Sequence, residues 1–342
     1  MILLTGATGF TGSHLLYFLL EKGNKVRALY RTETKKKRVY QVFSLLTDTP
    51  DTYFNQIEWF QADVTDIPAL TAAFEGIEEV YHTAAFVTFN PKHFHKIQKT
   101  NVEGTANVVN LCLELGIKKL CHISSIGTLG FVPNQMTTEE DHWNPDDENN
   151  VYAISKYASE MEVWRGVEEG LNAVIVNPGL ILGSGFWNSG TGLIFKRVSK
   201  GLSFYPTGKI GLVDVIDVAR ICMLLMENKV FNQRYILVSE NLPYKEFLEK
   251  IANAFETKPP HKPLTRGLLH LLRILDNLRS FFTGKPRTLF KSTVKSMSKN
   301  HEYSNRKLVE KTGYTFIPVE ETIQRVVRDF KASVGGFRKD LI

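Results

Sequence analysis

The chain opens with a short apolar strand pattern, a turn that contains three glycines, and an apolar helix pattern. The strand covers residues 2–4, the turn TGATGFTG supplies Gly6, Gly9 and Gly12, and a helix is predicted over residues 13–22. Glycines let a turn tighten and let backbone N–H groups approach an anion, while a helix N-terminus adds partial positive charge. This order of elements therefore predicts a binding site for the diphosphate of a dinucleotide.

Strand and helix patterns go on alternating through residue 178. Strands are predicted at VRALY, IEWFQAD, EEVYHTAA, KKLCHISS and NAVIVNP, with helices over residues 101–115 and 151–169. This alternation predicts an α/β fold, a doubly wound parallel (Rossmann) sheet with right-handed crossovers. The rhythm breaks after residue 178, so we expect two regions. Residues 1–178, with 214–239 returning to them, form a dinucleotide-binding domain; residues 179–213 and 240–342 form a smaller C-terminal substrate lobe.

The composition argues against metal-binding, membrane-spanning and nucleic-acid-binding classes of protein. The three cysteines, Cys112, Cys121 and Cys222, lie in apolar runs without metal-ligand spacing, which indicates a reducing compartment and no metal site. We find no signal-peptide pattern and no apolar run long enough for a bilayer, so a cytoplasmic location is expected. The net charge of +6 is too mild to indicate nucleic acid, and we expect no nucleic-acid partner.

The segment YAISK places Tyr152 and Lys156 on one helix face, at positions i and i+4. An ammonium about 4 Å from a phenol, at an effective dielectric of about 20, favours the phenolate by roughly 4 kcal/mol. Burial opposes this effect, but the pair is an acid/base candidate for use near neutral pH.

The Y-x-x-x-K pattern is weak evidence by itself, because the chain contains it three times. Tyr205 and Lys209 are separated by proline and glycine, which favours a turn. Tyr303 and Lys307 lie far beyond the predicted sheet units. YAISK alone follows a strand ending in serines and precedes a strand ending in VNPG, so it is the preferred candidate.

These features together resemble the extended branch of the short-chain dehydrogenase/reductase superfamily, also known as the NAD-dependent epimerase/dehydratase family. The resemblance rests on the segment TGATGFTGSHL and on the order of CHISS, YAISK and VNPG along the chain. It is good over residues 1–240. Sugar dehydratases carry an Asp-Glu pair where this chain has Ile126 and Gly127, so that activity is disfavoured. The dihydroflavonol-reductase-like and 3β-hydroxysteroid-dehydrogenase-like members fit better.

The resemblance implies roles for individual residues. Tyr152, Lys156 and Ser125 are the expected catalytic group. Ser124 is the competing candidate for the role of the serine, but it is expected to face the cofactor. Beside Tyr152 and Lys156, the expected cofactor-binding residues are Gly6, Thr8, Gly9, Phe10, Thr11, Gly12, Arg31, Lys36, Asp63, Val64, Thr83, Ala84, Ala85, Pro178 and Gly179.

The residues after the second strand predict the choice of cofactor. NAD-specific members place an acidic side chain there, whereas this chain has Arg31 followed by a basic run from Lys35 to Arg38. Arg31, with help from Lys35 or Lys36, is suited to pair with a 2′-phosphate. NADP is therefore the expected cofactor, with NAD possible.

The expected function is NADP-dependent reduction of a carbonyl, or oxidation of the corresponding alcohol, on a small hydrophobic substrate. Two alternatives stay open: a nucleotide-sugar epimerase with tightly bound NAD, and a non-catalytic dinucleotide-sensing protein. Leucines at helical spacing with interspersed arginines over residues 263–283 predict either a pocket lid or a peripheral membrane contact. By analogy with extended members, a homodimer through residues 101–115 and 151–169 is expected.

Overall fold

The computed structural model describes residues 1–131, 135–147, 149–265, 267–268, 276 and 298–336. Within these residues, seven strands form one large sheet: β1 (Ile2–Thr5), β2 (Val26–Tyr30), β3 (Glu58–Gln61), β4 (Glu79–His82), β5 (Lys119–Ile123), β6 (Ala173–Pro178) and β10 (Gln233–Leu237). Their spatial order is β10-β6-β5-β4-β1-β2-β3, and every pairing is parallel. The predicted doubly wound parallel sheet is confirmed.

Helices cover both faces of the large sheet because its inner strands are largely buried on both sides. The helices between its strands are α1 (Phe10–Glu21), α2 (Lys36–Leu46), α3 (Pro50–Phe54), α4 (Ile67–Ala73), α5 (Phe94–Ile97), α6 (Gly104–Glu114), α7 (Val151–Glu168) and, after β6, α8 (Gly192–Val198) and α9 (Val215–Glu227). One apolar core joins the sheet to α1 and α9, and a second joins it to α4, α6 and α7. This sandwich fixes the strand ends in space.

The remaining strands and helices include those of a lobe with its own apolar core, which also takes in α8. They are β7 (Leu180–Leu182), β8 (Phe204–Pro206), β9 (Lys209–Asp214), β11 (Glu240–Pro243), β12 (Lys262–Leu264), α10 (Tyr244–Phe255), α11 (Arg306–Thr312) and α12 (Val319–Gly336). Buried Asp214 ties this lobe to α9, because it caps the helix through the N–H of Ile216 and accepts from Thr322 Oγ1 at 2.7 Å. The expected domain boundaries stay a prediction.

The helix predicted over residues 101–115 differs at its start. A π-helical segment, Gln98–Glu103, runs directly into α6. Most of the helix predicted over residues 263–283 lies outside the described residues. In the part of the chain that the structure describes, no helix is long and apolar enough to cross a membrane. All three cysteines are buried free thiols.

Candidate functional site

The candidate site lies where the order of strands reverses in the large sheet. Chain connections run in opposite directions from β1 and β4, which opens a crevice at the carboxyl ends of these strands. The same edge brings together the glycine turn after β1, Thr83 after β4, Ser125 after β5 and Pro178 at the end of β6. Residues distant in sequence thus share one edge because parallel strands point the same way.

A glycine is needed at each of the three positions of the turn for a different structural reason. Gly6 has a φ of +70°, and a Cβ there would lie 2.6 Å from the backbone nitrogen of Ala84. A Cβ on Gly12 would lie 2.3 Å from the carbonyl oxygen of Gly6. Gly9 is exposed, is the N-cap of α1, and would place its Cβ 3.1 Å from that same oxygen. Gly6 and Gly12 therefore let the protein pack against itself, while Gly9 leaves the helix N-terminus open to an anion.

Small residues after β4 are bonded to the strand beside them. Thr83 Oγ1 donates to the carbonyl oxygen of Thr5 at 2.7 Å, and the N–H of Ala84 donates to Thr5 Oγ1 at 3.3 Å. These bonds hold the end of β4 against the glycine turn. Ala85 follows as an exposed residue.

Tyr152 and Lys156 lie in the first turns of α7. Asn150 caps this helix, its Oδ1 accepting from the N–H of Ala153 at 2.8 Å. Lys156 is buried, and its Nζ donates to the carbonyl oxygen of Ile123 at 2.6 Å and lies 3.4 Å from His122 Nε2. The lysine thus anchors the start of α7 to the end of β5.

Burial controls the ionisation of both groups. It raises the pKa of Tyr152 to about 12. Burial lowers the pKa of Lys156 to about 8, while the nearby charge of Glu160 acts in the opposite direction. The expected lowering of the phenol pKa by Lys156 is therefore wrong for this structure, where burial alone sets the direction of the shift. At neutral pH the phenol is therefore protonated, which is the form that donates a proton, and Lys156 one helical turn along α7 is an ammonium.

The two serines after β5 face different surroundings. Ser125 is half-buried, and its Oγ accepts from the N–H of Gly127 at 3.1 Å, so its own hydrogen is left to donate. Ser124 is buried, and its Oγ donates to Glu160 Oε2 at 2.6 Å. The expectation that Ser124 faces the cofactor is wrong, because its hydroxyl is held by a carboxylate in the interior.

The basic residues after β2 also divide into two groups. Lys36 Nζ pairs with Glu33 at 2.8 Å and lies 3.9 Å from the centre of the Tyr30 ring. Lys35 instead has its pKa lowered by burial and then by the charges of Arg31 and Arg38. The pairing of Lys36 with Glu33 and the effect of the Arg31 charge on the pKa of Lys35 therefore favour Lys35 over Lys36 as the neighbour of Arg31. We call Arg31, Lys35 and Arg38 the basic cluster.

Asp63 adjoins this cluster from the end of β3. Arg31 Nη1 lies 3.4 Å from its Oδ2, and the N–H and hydroxyl of Thr65 donate to its Oδ1. Burial alone would raise the pKa of Asp63, but these hydrogen bonds and Arg31 hold that pKa below its ordinary value. Val64 beside it is buried.

Sequence patterns gave no sign of Asn101, a buried residue in the π-helical segment. Its Oδ1 accepts from the N–H of Phe86 at 2.7 Å, and its Nδ2 donates to Ser155 Oγ at 3.0 Å. Asn101 thus joins the loop after β4 to α7. A π-helical turn often marks a functional site, but residue periodicity does not predict it.

An apolar surface lies beside Tyr152. The Phe89 ring meets the Tyr152 ring edge-on, with centroids 5.8 Å apart, and Phe89 is 42% exposed. Val87 on the same loop is 60% exposed. The loop held by Asn101 therefore presents an exposed aromatic ring next to the phenol, with a second exposed apolar side chain two residues earlier.

Fold and site together define an α/β protein with a dinucleotide-type glycine turn and a tyrosine–lysine pair at the carboxyl edge of its sheet. Residues 2–237 match the model of the NAD dependent epimerase/dehydratase family. The chain belongs to this family and is an NAD(P)-dependent oxidoreductase of the extended short-chain dehydrogenase/reductase type, as predicted.

Individual relatives are distant but cover most of the chain. Cinnamoyl-CoA reductase 1 of Petunia hybrida is 26% identical, over 97% of this chain and 92% of its own. Sterol demethylase protein B of Methylococcus capsulatus is 29% identical, over 72% of each chain. The crystal structure of gox2253 superposes with a TM-score of 0.80 at 26% identity, over 97% of this chain and 98% of the other.

Proposed function

We propose that this enzyme uses NADP(H) to reduce the carbonyl group of a small apolar substrate, or to oxidise the corresponding alcohol, with Tyr152 as the acid/base. The observation that carries the proposal is the anchoring of Lys156 to the carbonyl oxygen of Ile123. This bond holds an ammonium one helical turn from the phenol, at the end of a strand that borders the crevice. The reductase relatives support the same reaction class.

The residues at the crevice fit a dinucleotide. Gly9 opens the N-terminus of α1 to a diphosphate, and the bare backbone of Gly6 packs against the end of β4. When bound, the cofactor supplies a hydride to a carbonyl carbon in reduction and accepts one in oxidation. We assign cofactor binding to the residues named from the sequence, with Lys35 in place of Lys36.

The basic cluster supports NADP over NAD. Three cationic side chains suit a 2′-phosphate dianion, whereas two ribose hydroxyls offer them no charge. Lys35 already has its pKa lowered by burial and by neighbouring cations, so an anion would relieve that repulsion. Asp63 is paired with Arg31 at 3.4 Å, and among the described residues Lys35 and Arg38 make no ion pair within 4 Å.

Three side chains carry the proposed chemistry. In reduction, Tyr152 Oη gives its proton to the carbonyl oxygen as the carbon receives the hydride, which completes the alcohol. Ser125 Oγ donates a hydrogen bond to the same oxygen and stabilises its developing charge. The Lys156 ammonium stabilises the phenolate, which is then reprotonated from solvent; oxidation reverses each step.

An apolar substrate is proposed because of the surface beside the phenol. The Phe89 ring borders Tyr152, and Val87, two residues earlier on the same loop, is a second exposed apolar side chain. A sugar ring would leave its hydroxyls without partners against such a surface, at a cost in binding energy. An aromatic or aliphatic carbonyl compound would bury apolar area there instead.

The test has two stages. The purified protein is denatured, and released nucleotide is analysed by chromatography; exchangeable NADP(H) or no nucleotide is expected. NADPH oxidation is then followed with aromatic aldehydes, aliphatic ketones and UDP-sugars. Turnover of the apolar carbonyls that is lost in a Tyr152→Phe variant supports the proposal. Retained NAD with UDP-sugar interconversion would replace it by the epimerase alternative.

A further inference from the structure

Glu160 is a fully buried carboxylate on α7, one helical turn beyond Lys156. An isolated buried carboxylate is strongly unfavourable unless hydrogen bonds and opposite charge compensate it. Among the described residues its donors are Ser124 Oγ (2.6 Å), Thr128 Oγ1 (2.8 Å), Asn177 Nδ2 (2.9 Å), Arg234 Nη1 (3.3 Å) and Trp164 Nε1 (3.4 Å). This set satisfies both oxygens of an ionised carboxylate.

These donors surround the loop that carries Ser125. Ser124 precedes it, and Thr128 ends the short 3-10 turn that follows it. Asn177, at the end of β6, also donates to the carbonyl oxygen of Ser125 at 3.2 Å. Glu160 thus joins α7, which carries Tyr152, to both sides of the loop that presents Ser125.

The surroundings of Lys156 contain few charges. On α7 it has Tyr152 before it and Glu160 after it; from β5 it faces His122, and His82 of β4 stacks on His122 with ring centroids 5.3 Å apart. Burial lowers the pKa of His82 to about 3 and holds the pKa of His122 well below its ordinary value. Both histidines are therefore neutral.

The hydrogen bonds of His82 agree with that neutral state. Thr105 Oγ1 donates to the carbonyl oxygen of Asn101, so it accepts from His82 Nε2 at 2.9 Å. His82 Nδ1 is then left to accept from Thr5 Oγ1 at 2.7 Å. The histidines offer Lys156 no negative charge, which leaves Glu160 as the anion on its own helix face.

We propose that Glu160 is a positioning residue that keeps Lys156 in its charged form and fixes the Ser125 loop against α7. The inference rests on the roles proposed above for Lys156 and Ser125. Arg234 contacts Glu160 from the edge strand β10 and is the competing cation. The two substitutions Glu160→Gln and Arg234→Met therefore have opposite expected effects on Lys156.

The direct test measures the pKa of Lys156 by a method that does not depend on enzyme turnover. Protein with 13C- and 15N-labelled lysine is titrated by NMR, and a Lys156→Met variant assigns the signal. Glu160→Gln is expected to lower the pKa of Lys156 by about one unit or more. Arg234→Met is expected to raise it. Ser124→Ala removes a neutral donor and keeps the charge, so it should leave that pKa in place.

A kinetic measurement tests the functional consequence. With NADPH and a carbonyl substrate found by the screen, the alkaline limb of the kcat profile should move to lower pH in Glu160→Gln and to higher pH in Arg234→Met. An equal loss of activity at every pH, with an unmoved Lys156 pKa, would show a merely structural role and overturn the inference. If Glu160→Gln does not fold, the sign of the Arg234→Met shift decides.

Failure of the proposed function has a different signature. If the Tyr152→Phe enzyme is active, the proposed chemistry is ruled out, whatever the NMR titration shows. Conversely, an inactive Tyr152→Phe enzyme with an unmoved Lys156 pKa in both Glu160→Gln and Arg234→Met would remove this inference alone.

Discussion

Lys156 Nζ donates a 2.6 Å hydrogen bond to the carbonyl oxygen of Ile123. A side chain on α7 is thereby fixed to the main chain at the end of β5, immediately before the two serines. The bond uses one of the three ammonium hydrogens and leaves the others to stabilise the phenolate as proposed above. The geometry of this contact underlies the predictions on activity and pH.

The first prediction separates the proposed catalytic tyrosine from another tyrosine in the same sequence pattern. Tyr152→Phe should lower kcat by about 10²- to 10⁴-fold, because the proton donor is lost. Tyr205→Phe is the matched control, since Tyr205 lies on β8 in the lobe. Steady-state kinetics of both variants with NADPH give the comparison; similar losses in the two would contradict the assignment.

Neighbouring lysines test the cofactor preference. Lys35→Ala should lower kcat/KM for NADPH by about tenfold and leave NADH unchanged, because one charge-assisted bond to the 2′-phosphate is lost. Lys36→Ala should keep the NADPH/NADH ratio, because its amine pairs with Glu33 and the Tyr30 ring. Equal effects of the two substitutions on the ratio would count against the basic cluster.

The pH dependence of activity and of stability should run in opposite directions. Activity that needs the Lys156 ammonium should fall as pH rises through about 8. The folded-state pKa lies below the ordinary lysine value of 10.5, so the unfolded chain binds more protons between these pH values. The contribution of Lys156 to stability therefore rises with pH across this window.

Thermal unfolding of the wild type and of Lys156→Met checks the stability half of this prediction. Methionine removes the cost of burying the charge. The unfolding temperature of the variant, relative to that of the wild type, should therefore be highest at pH 7. That relative gain should shrink by pH 10. A gain that grows with pH would mean that the lysine pKa is not lowered in the folded protein.

Substitution of two glycines of the turn should affect different properties, one the stability of the fold and the other the binding of NADPH. Gly12→Ala places a Cβ 2.3 Å from the carbonyl oxygen of Gly6, so we expect destabilisation by about 1–3 kcal/mol. Gly9 has an ordinary φ of −86°, and its Cβ would meet the Gly6 oxygen at 3.1 Å, so Gly9→Ala should lose less stability than Gly12→Ala but bind NADPH more weakly. Differential scanning calorimetry and NADPH fluorescence titration separate the two effects; a Gly12→Ala protein as stable as the wild type would contradict the packing argument.

The serines give the fifth prediction. Ser125→Ala should lower kcat by about 10- to 10²-fold with little change in stability, because a donor to the substrate oxygen is lost. Ser124→Ala takes a donor from buried Glu160 and should cost about 1–3 kcal/mol of unfolding free energy. A larger loss of kcat at position 124 would reverse the assignment.

The sequence by itself determined the class of fold and the identity of the reactive candidates. Apolar strands alternating with helices, the early glycines and YAISK are local patterns, and the physics that places them in strands, turns and helices is local too. The family follows from their order along the chain, and the comparisons confirm it. The homodimer and the cytoplasmic location stay predictions.

Only the tertiary structure decided how those side chains are ionised and partnered. Burial raises the pKa of Tyr152 and lowers that of Lys156, and no local pattern gives the depth of a side chain. The same holds for Ser124 and Glu160, which are 36 residues apart in the chain and 2.6 Å apart in space. Desolvation and long-range hydrogen bonds depend on which strand ends meet, and the folded sheet alone sets that.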